Sequence, residues 1–241
     1  MGEYRRDGIT YLGLNPANRL IDELSSEWRA ESRCLFLPAD PLAFDQNEET
    51  AQFMARRFSE SNLSVGCFDL CDAKNDLLPV RELDRYDFLL LGGGHVPTQN
   101  NFFREIGLFE RIQTFNGIVM GISAGSMNCA TFVYAQPELP GESIDPSYER
   151  FIDGLDLTSV QVLPHYQTVK DDILDGKRLF EDITYPDSIG NRFYAIPDGS
   201  YILQRNGIAV IHGEARLIEN GECRKICDHD KLCAIEQDRF F

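Results

Sequence analysis

The first place where this sequence could make and break covalent bonds is Gly121-Ile122-Ser123-Ala124-Gly125. It matches G-x-S-x-G, the pattern of a nucleophilic serine on a sharp strand-to-helix turn. Such a turn strains the serine backbone and projects its Oγ away from the sheet. Small residues at 121 and 125 let neighbouring backbone pass close by. The Ala124 N–H then opens a helix and points to where an oxyanion would form. Five residues of this kind recur by chance, and the bland alternative is a tight Gly-Ser turn. The setting makes the pattern specific: an apolar strand (Gly117–Ile122) precedes it and a helix over Ala124–Tyr134 is predicted to follow.

A serine nucleophile needs a base, and the chain has four histidines. His165 follows Pro164 at the end of a short strand; proline fixes the local backbone and suits a side chain presented in one direction. His95 follows three glycines (Gly92-Gly93-Gly94) and could line the same pocket, or merely cap the next segment. His212 reads as a strand residue within GIAVIHG. The third partner must be a carboxylate that accepts from the imidazole and fixes its tautomer. Asp198, in the turn Pro197-Asp198-Gly199, and Glu138, in the loop after the serine, both qualify. Spacing alone leaves the choice between them open.

These residues need elements to hold them. Ile9–Leu14, Cys34–Leu37, Val65–Leu70, Tyr86–Leu91 and Gly117–Ile122 read as strands, alternating with helical patterns over Glu48–Ser59 and roughly Asn101–Thr114. In the first of those helices Phe53, Met54 and Phe58 fall on one face. Unbroken apolar strands alternating with helices predict a three-layer αβα fold, with a mostly parallel sheet covered on both faces. Farther on, Val160–Leu163, Phe193–Ile196 and Tyr201–Gln204 read as strands, and Lys170–Glu181 as a helix. Turns at Asn206-Gly207 and Asn220-Gly221 predict antiparallel hairpins at the C-terminal edge. In such sheets chemistry collects beyond the carboxyl ends of the strands. Gly92–His95, Ser123, His165 and Asp198 all fall at such ends.

Composition excludes several classes. The chain has 241 residues with 23 Lys+Arg and 39 Asp+Glu, a formal charge of −16, which repels nucleic acid and anionic lipid. No stretch approaches the roughly 20 apolar residues of a spanning helix. The N-terminal segment lacks the pattern of a signal peptide, and Arg6 stands where a myristoylation signal carries Ser or Thr. Seven scattered cysteines read as reduced thiols of a cytoplasmic protein. Cys223, Cys227, His229 and Cys233 do not follow a standard zinc spacing, so they read as a polar hairpin with free thiols, and Cys129 as a packing residue of the helix after Ser123.

Together, the strand ending in GGGH (92–95), the elbow GISAGSMNCA (121–130), the PHY element (164–166) and IPDGSY (196–201) resemble the peptidase E family, which holds aspartyl dipeptidase, cyanophycinase and related serine peptidases. The pieces occur in the family's order and span most of residues 34–215. The resemblance implies one domain over residues 1–241 with a class I glutamine amidotransferase-like, flavodoxin-like fold. It implies a triad in the order serine, histidine, acid: Ser123 as nucleophile, His165 as base and Asp198 where relatives usually carry Glu. It also implies an oxyanion hole of the Gly94 and Ala124 N–H groups and a substrate contact from Glu138. His95, where relatives often carry Asn, is a departure, and its substrate contact is read from its place beside the glycine run. No metal or organic cofactor is expected. The partner is a short peptide substrate, the chain a monomer or homodimer. The rival readings are a non-catalytic binding or sensor module on the same fold and an α/β-hydrolase esterase, in which the acid would precede the histidine.

Overall fold

The computed structural model describes residues 4–6, 9–11, 13–75 and 78–235. It forms two compact units, Met1–Gly125 and Ser126–Phe241. The first opens with an antiparallel pair, β1 (Tyr4–Arg6) and β2 (Ile9–Tyr11). The sequence predicts one strand over Ile9–Leu14 here; Leu12 lies outside the described residues, as do Met1 and Gly2. After helix α1 (Leu20–Glu27) come β3 (Ser32–Leu37), β4 (Val65–Leu70), β5 (Phe88–Leu91) and β6 (Ile118–Gly121). They make a parallel sheet in the spatial order β4-β3-β5-β6. Counting from β3, this is the 2-1-3-4 order of a flavodoxin-like sheet, whose switch point lies between β3 and β5.

Side-chain alternation explains why the two central strands are apolar over Cys34–Leu37 and Phe88–Leu91, while the edge strand β4 admits Gly66 and Asp69. Cys34, Phe36, Phe88 and Leu90 face a core shared with Ala51, Met54 and Phe58 of α2 (Phe44–Glu60). Their neighbours Leu35, Leu37, Leu89 and Leu91 are equally inaccessible, so both faces of the sheet are covered. Within α2, Ala51, Met54 and Phe58 recur at i, i+3 and i+7, the spacing of a buried helical stripe. Phe53, predicted on that face, is only half-buried and carries the Arg57 guanidinium 4.7 Å above its ring. Trp28 closes the cluster by stacking on Phe58 at 5.3 Å. Helices α3 (Leu78–Arg81), α4 (Val96–Glu105) and α5 (Leu108–Arg111) complete the unit.

The helix predicted over Ala124–Tyr134 is a single turn, α6 (Ala124–Met127). Thr131-Phe132-Val133-Tyr134, β-branched and aromatic, prefers a pleated surface to a helix. It contributes β7 (Phe132–Tyr134), antiparallel to β8 (Phe151–Asp153). The Asn128 and Cys129 carbonyls accept the N–H groups of Leu155 and Leu157 at 2.8 and 2.9 Å, ending any helical ladder. Cys129 is therefore not a helical residue; desolvation pushes its thiol up to about 12, which suits packing and not nucleophilic attack.

The second unit holds β9 (Gln161–Leu163), α7 (Tyr166–Val169), a small hairpin of β10 (Ile173–Leu174) and β11 (Lys177–Arg178), α8 (Tyr185–Asp187) and β12 (Arg192–Ala195). Here too a predicted helix fails. Lys170–Glu181 is instead that hairpin followed by a π-helical turn over Leu179–Thr184. The cause is local: Asp175 and Gly176 take φ 51° and 79°, the paired left-handed conformation of a tight hairpin turn. The Asp175 carboxylate accepts the Gly141 N–H and the Ser143 Oγ–H, each at 2.8 Å, and these bonds hold its pKa below the usual range.

The C-terminal strands are β13 (Tyr201–Arg205), β14 (Ile208–His212), β15 (Ala215–Glu219), β16 (Glu222–Cys227) and β17 (Leu232–Ala234). They join two sheets, ordered β16-β15-β12-β9 and β13-β14-β17. Only the β9–β12 pair is parallel. Both Asn-Gly turns form as predicted, with φ 51° and 75° at 206–207 and φ 51° and 83° at 220–221. Tyr134 stacks on Phe193 at 4.3 Å and donates its hydroxyl to Asp187 at 2.8 Å, where Arg150 also binds.

The cysteine reading needs correction. Cys227 and Cys233 are joined by a disulfide, with Cα atoms 5.9 Å apart, inside the window such a bond requires. The chain reverses over residues 228–231 as it leaves β16 for β17, and this brings the two residues together. Buried Cys34 and Cys71 remain thiols, pushed up to about 12 by desolvation. Among the described residues no helix is long and apolar enough to cross a membrane.

Candidate active site

In the first unit the parallel register aligns the carboxyl ends of three strands, with Leu37 opposite Leu91 and Leu91 opposite Gly121. Backbone bonds continue past the strand ends: Gly92 N–H donates to Leu37 O at 2.8 Å, Ile122 N–H to Leu91 O at 2.9 Å and Gly125 N–H to Gly92 O at 3.0 Å. The glycine run and the serine turn are thus laced together beside the switch point. Ser123 has φ 51°, a conformation that costs a non-glycine residue of order 1 kcal/mol and is kept where surrounding structure over-determines it. Here that surround is the strand before the serine and the helix after it. Ser123 is half-buried and Ala124 is inaccessible.

Close approach accounts for three glycines. A Cβ at Gly93 would sit 3.1 Å from the Ser123 Cβ, and one at Gly94 would sit 2.7 Å from the Ala39 Cβ. Gly94 also has φ 150°, so a side chain there meets both strain and collision. At Gly125 a Cβ would lie 2.3 Å from the Leu91 carbonyl oxygen. Backbone cannot swing aside as a flexible side chain can, so Gly125→Ala is expected to cost at least about 3 kcal/mol, measured as a lowered midpoint in chemical denaturation.

The sequence reading missed one residue of this assembly. Gln99 is fully inaccessible, and its Nε2–H donates to the Gly92 carbonyl at 2.8 Å. That carbonyl thereby receives two donors, Gln99 and Gly125, which fixes the glycine run. The signal was present: Gln99 lies three residues after Val96 and four before Phe103, on the buried face of α4, where a polar side chain needs a partner. His95 immediately precedes α4, with its ring Nδ1 2.7 Å from Thr98 Oγ1.

In the second unit His165 and Asp198 come together. His165 Nδ1 lies 2.6 Å from Asp198 Oδ1. Both side chains are accessible, at 41% and 59%. His165 itself has φ 60°, directly before α7. Of the two carboxylates that the sequence left in competition, Asp198 holds the position beside this imidazole. Glu138 lies in the loop after β7, where its N–H and that of Leu139 donate to Glu142 Oε2, each at 2.9 Å. An ionised carboxylate only accepts, so the Nδ1 facing Asp198 carries the proton and the neutral ring keeps its lone pair on Nε2. An imidazole so oriented can take a proton from a hydroxyl.

The sequence profile of peptidase family S51 matches residues 13–211. Among solved structures, a peptidase from an acI-B1 Actinobacterium superposes with a TM-score of 0.61 at 14% identity, covering 90% of this chain and 89% of that one. A candidate peptidase E from Listeria monocytogenes EGD-e gives 0.49 at 16% identity, covering 87% and 94%. At such identities the first likeness speaks to the fold alone, and the second carries no weight. A comparison with curated proteins found no match. The profile spans the glycine run, the serine turn, His165 and Asp198, and the chain belongs to peptidase family S51, the peptidase E family of serine-type peptidases.

Proposed function

We propose that this peptidase hydrolyses short peptides through a Ser123-His165-Asp198 triad, as an exopeptidase of the aspartyl dipeptidase kind. The observation that carries the reading is the 2.6 Å contact between His165 Nδ1 and Asp198, in a chain whose family is serine-type. The left-handed Ser123, held between a strand end and a helix start, supports its role as nucleophile. In this reading Ser123 Oγ attacks the peptide carbonyl while His165 Nε2 accepts its proton. The Gly94 and Ala124 N–H groups hold the oxyanion. His165 then returns the proton to the leaving amine, and water releases the acyl group by the same route. General-base help of this kind is worth about 10²–10⁴-fold, and each oxyanion donor about 10²–10³-fold.

His95 and Glu138 are proposed as substrate contacts, Glu138 through the free amine of the peptide. The reading involves no metal or organic cofactor, and takes the enzyme as a cytoplasmic monomer or homodimer. The net charge of −16 opposes anionic substrates unless a local basic patch offsets it. A panel of Asp-X, Glu-X and neutral dipeptides, with their N-acetylated forms, tests the specificity. Turnover of Asp-X above the others, lost on acetylation, is expected. Equal turnover of all three removes the acidic preference, and unchanged turnover of acetylated substrates removes the exopeptidase reading.

A further inference from the structure

Asp198 reaches His165 from a turn that is closed by its own hydrogen bond but is fastened to α7 by a side chain. Pro197 has no N–H to give, and the turn closes through Ser200 N–H donating to Pro197 O at 3.1 Å, with Gly199 at φ 90°. The N–H of Asp198 points away from that bond and donates to Gln167 Oε1 at 3.0 Å. Gln167 lies on α7, two residues after His165. A second tie runs from Tyr166 N–H to Ile196 O at 3.1 Å. A third, Ile196 N–H to Leu163 O at 2.9 Å, lies farther back, so the base and the acid sit on two backbone segments tied before their contact by main-chain bonds and after it by the Gln167 side chain.

We propose that Gln167 is a positioning residue: it draws the 197–200 turn against α7 so that a carboxylate with a single methylene reaches His165 Nδ1. This rests on the triad reading above. Aspartate gives little reach, so the backbone must come to the histidine, and the Gln167 bond holds it there. Gln167 is exposed, and its replacement removes this tie without opening the core.

The test uses the full chain with Gln167→Ala, Asp198→Glu and the double variant. Two readouts are compared: kcat on a peptide substrate, and the ¹⁵N spectrum of His165 at alkaline pH, which reports the tautomer of the neutral ring. Gln167→Ala is expected to lower kcat about tenfold with KM unchanged, the effect of one lost hydrogen bond. It should also shift His165 away from the Nδ1–H tautomer towards the Nε2–H form that free imidazole favours. With the turn held, Asp198→Glu adds a methylene to an acid already 2.6 Å from His165 Nδ1 and should lower kcat by misaligning that contact. Once Gln167 is gone the turn can retreat, and the longer acid should cost less or restore activity; contacting groups couple in this way. A parent-like kcat and tautomer in Gln167→Ala, or purely additive losses in the double variant, overturns the proposal. The tautomer is read whether or not the protein hydrolyses peptides. If Ser123→Ala leaves turnover intact, the triad reading fails, and the spectrum still decides whether Gln167 governs the His165–Asp198 pair.

Discussion

Ser123→Ala is expected to abolish both turnover and covalent labelling by a fluorophosphonate probe. Removing the hydroxyl deletes the bond-forming atom and leaves only binding and oxyanion stabilisation, so kcat should fall about 10⁴-fold or more. No pocket residue should approach that loss. The substitution also places alanine at φ 51°, where the cost of the left-handed backbone persists, so the fold is checked by its denaturation midpoint. A folded Ser123→Ala protein that still reacts with the probe would require another nucleophile. Four of the five free cysteines are poor candidates: Cys34, Cys71 and Cys129 carry thiols pushed up to about 12, and desolvation raises Cys67. The fifth, Cys223, lies 3.9 Å from the Tyr166 hydroxyl.

Asp198→Asn should give the second largest effect, a fall in kcat of about 10³–10⁴-fold with KM little changed. The amide is nearly isosteric with the carboxylate, yet it can turn an N–H towards His165 Nδ1. The ring then carries its proton on Nε2 and cannot accept one from Ser123. Neither can the amide stabilise an imidazolium. Because the Asp198 side chain is 59% accessible, the substitution should leave the folded state intact, and its kinetic and stability effects can be read apart. Slowed but complete fluorophosphonate labelling is expected, since the nucleophile remains. A parent-like kcat in Asp198→Asn would return Glu138 to consideration as the acid.

The two predicted helices that failed show where local pattern loses authority. Over 170–181 an Asp-Gly turn interrupts a stretch whose composition otherwise suits a helix, and two residues with positive φ turn it into a hairpin. Over 124–134 the apolar spacing is compatible with helix, but Phe132–Tyr134 finds a strand partner about twenty residues downstream. In both cases the deciding contact is distant or depends on backbone sign, and neither leaves a periodic trace. The disulfide was missed for the same reason: six residues separate Cys227 from Cys233, and only the path of the intervening turn makes them neighbours.

By itself the sequence determined the four strands of the parallel sheet, the central two because strands buried on both faces must be apolar at every position; it also offered Ile9–Leu14 as a further strand, whose described part instead pairs antiparallel with β1. It also determined the two Asn-Gly hairpins and the serine turn, whose glycines are demanded by backbone contacts as close as 2.3 Å. Spacing left Asp198 and Glu138 open as partners of His165, and the motif resemblance pointed to Asp198; the 2.6 Å contact across 33 residues is a matter of tertiary structure, which no local rule supplies. Tertiary structure alone revealed Gln99 and Gln167, polar side chains whose importance lies in a single backbone group each one holds. Periodicity records which face of an element is buried. It does not record which hydrogen bond a long chain must close across a turn.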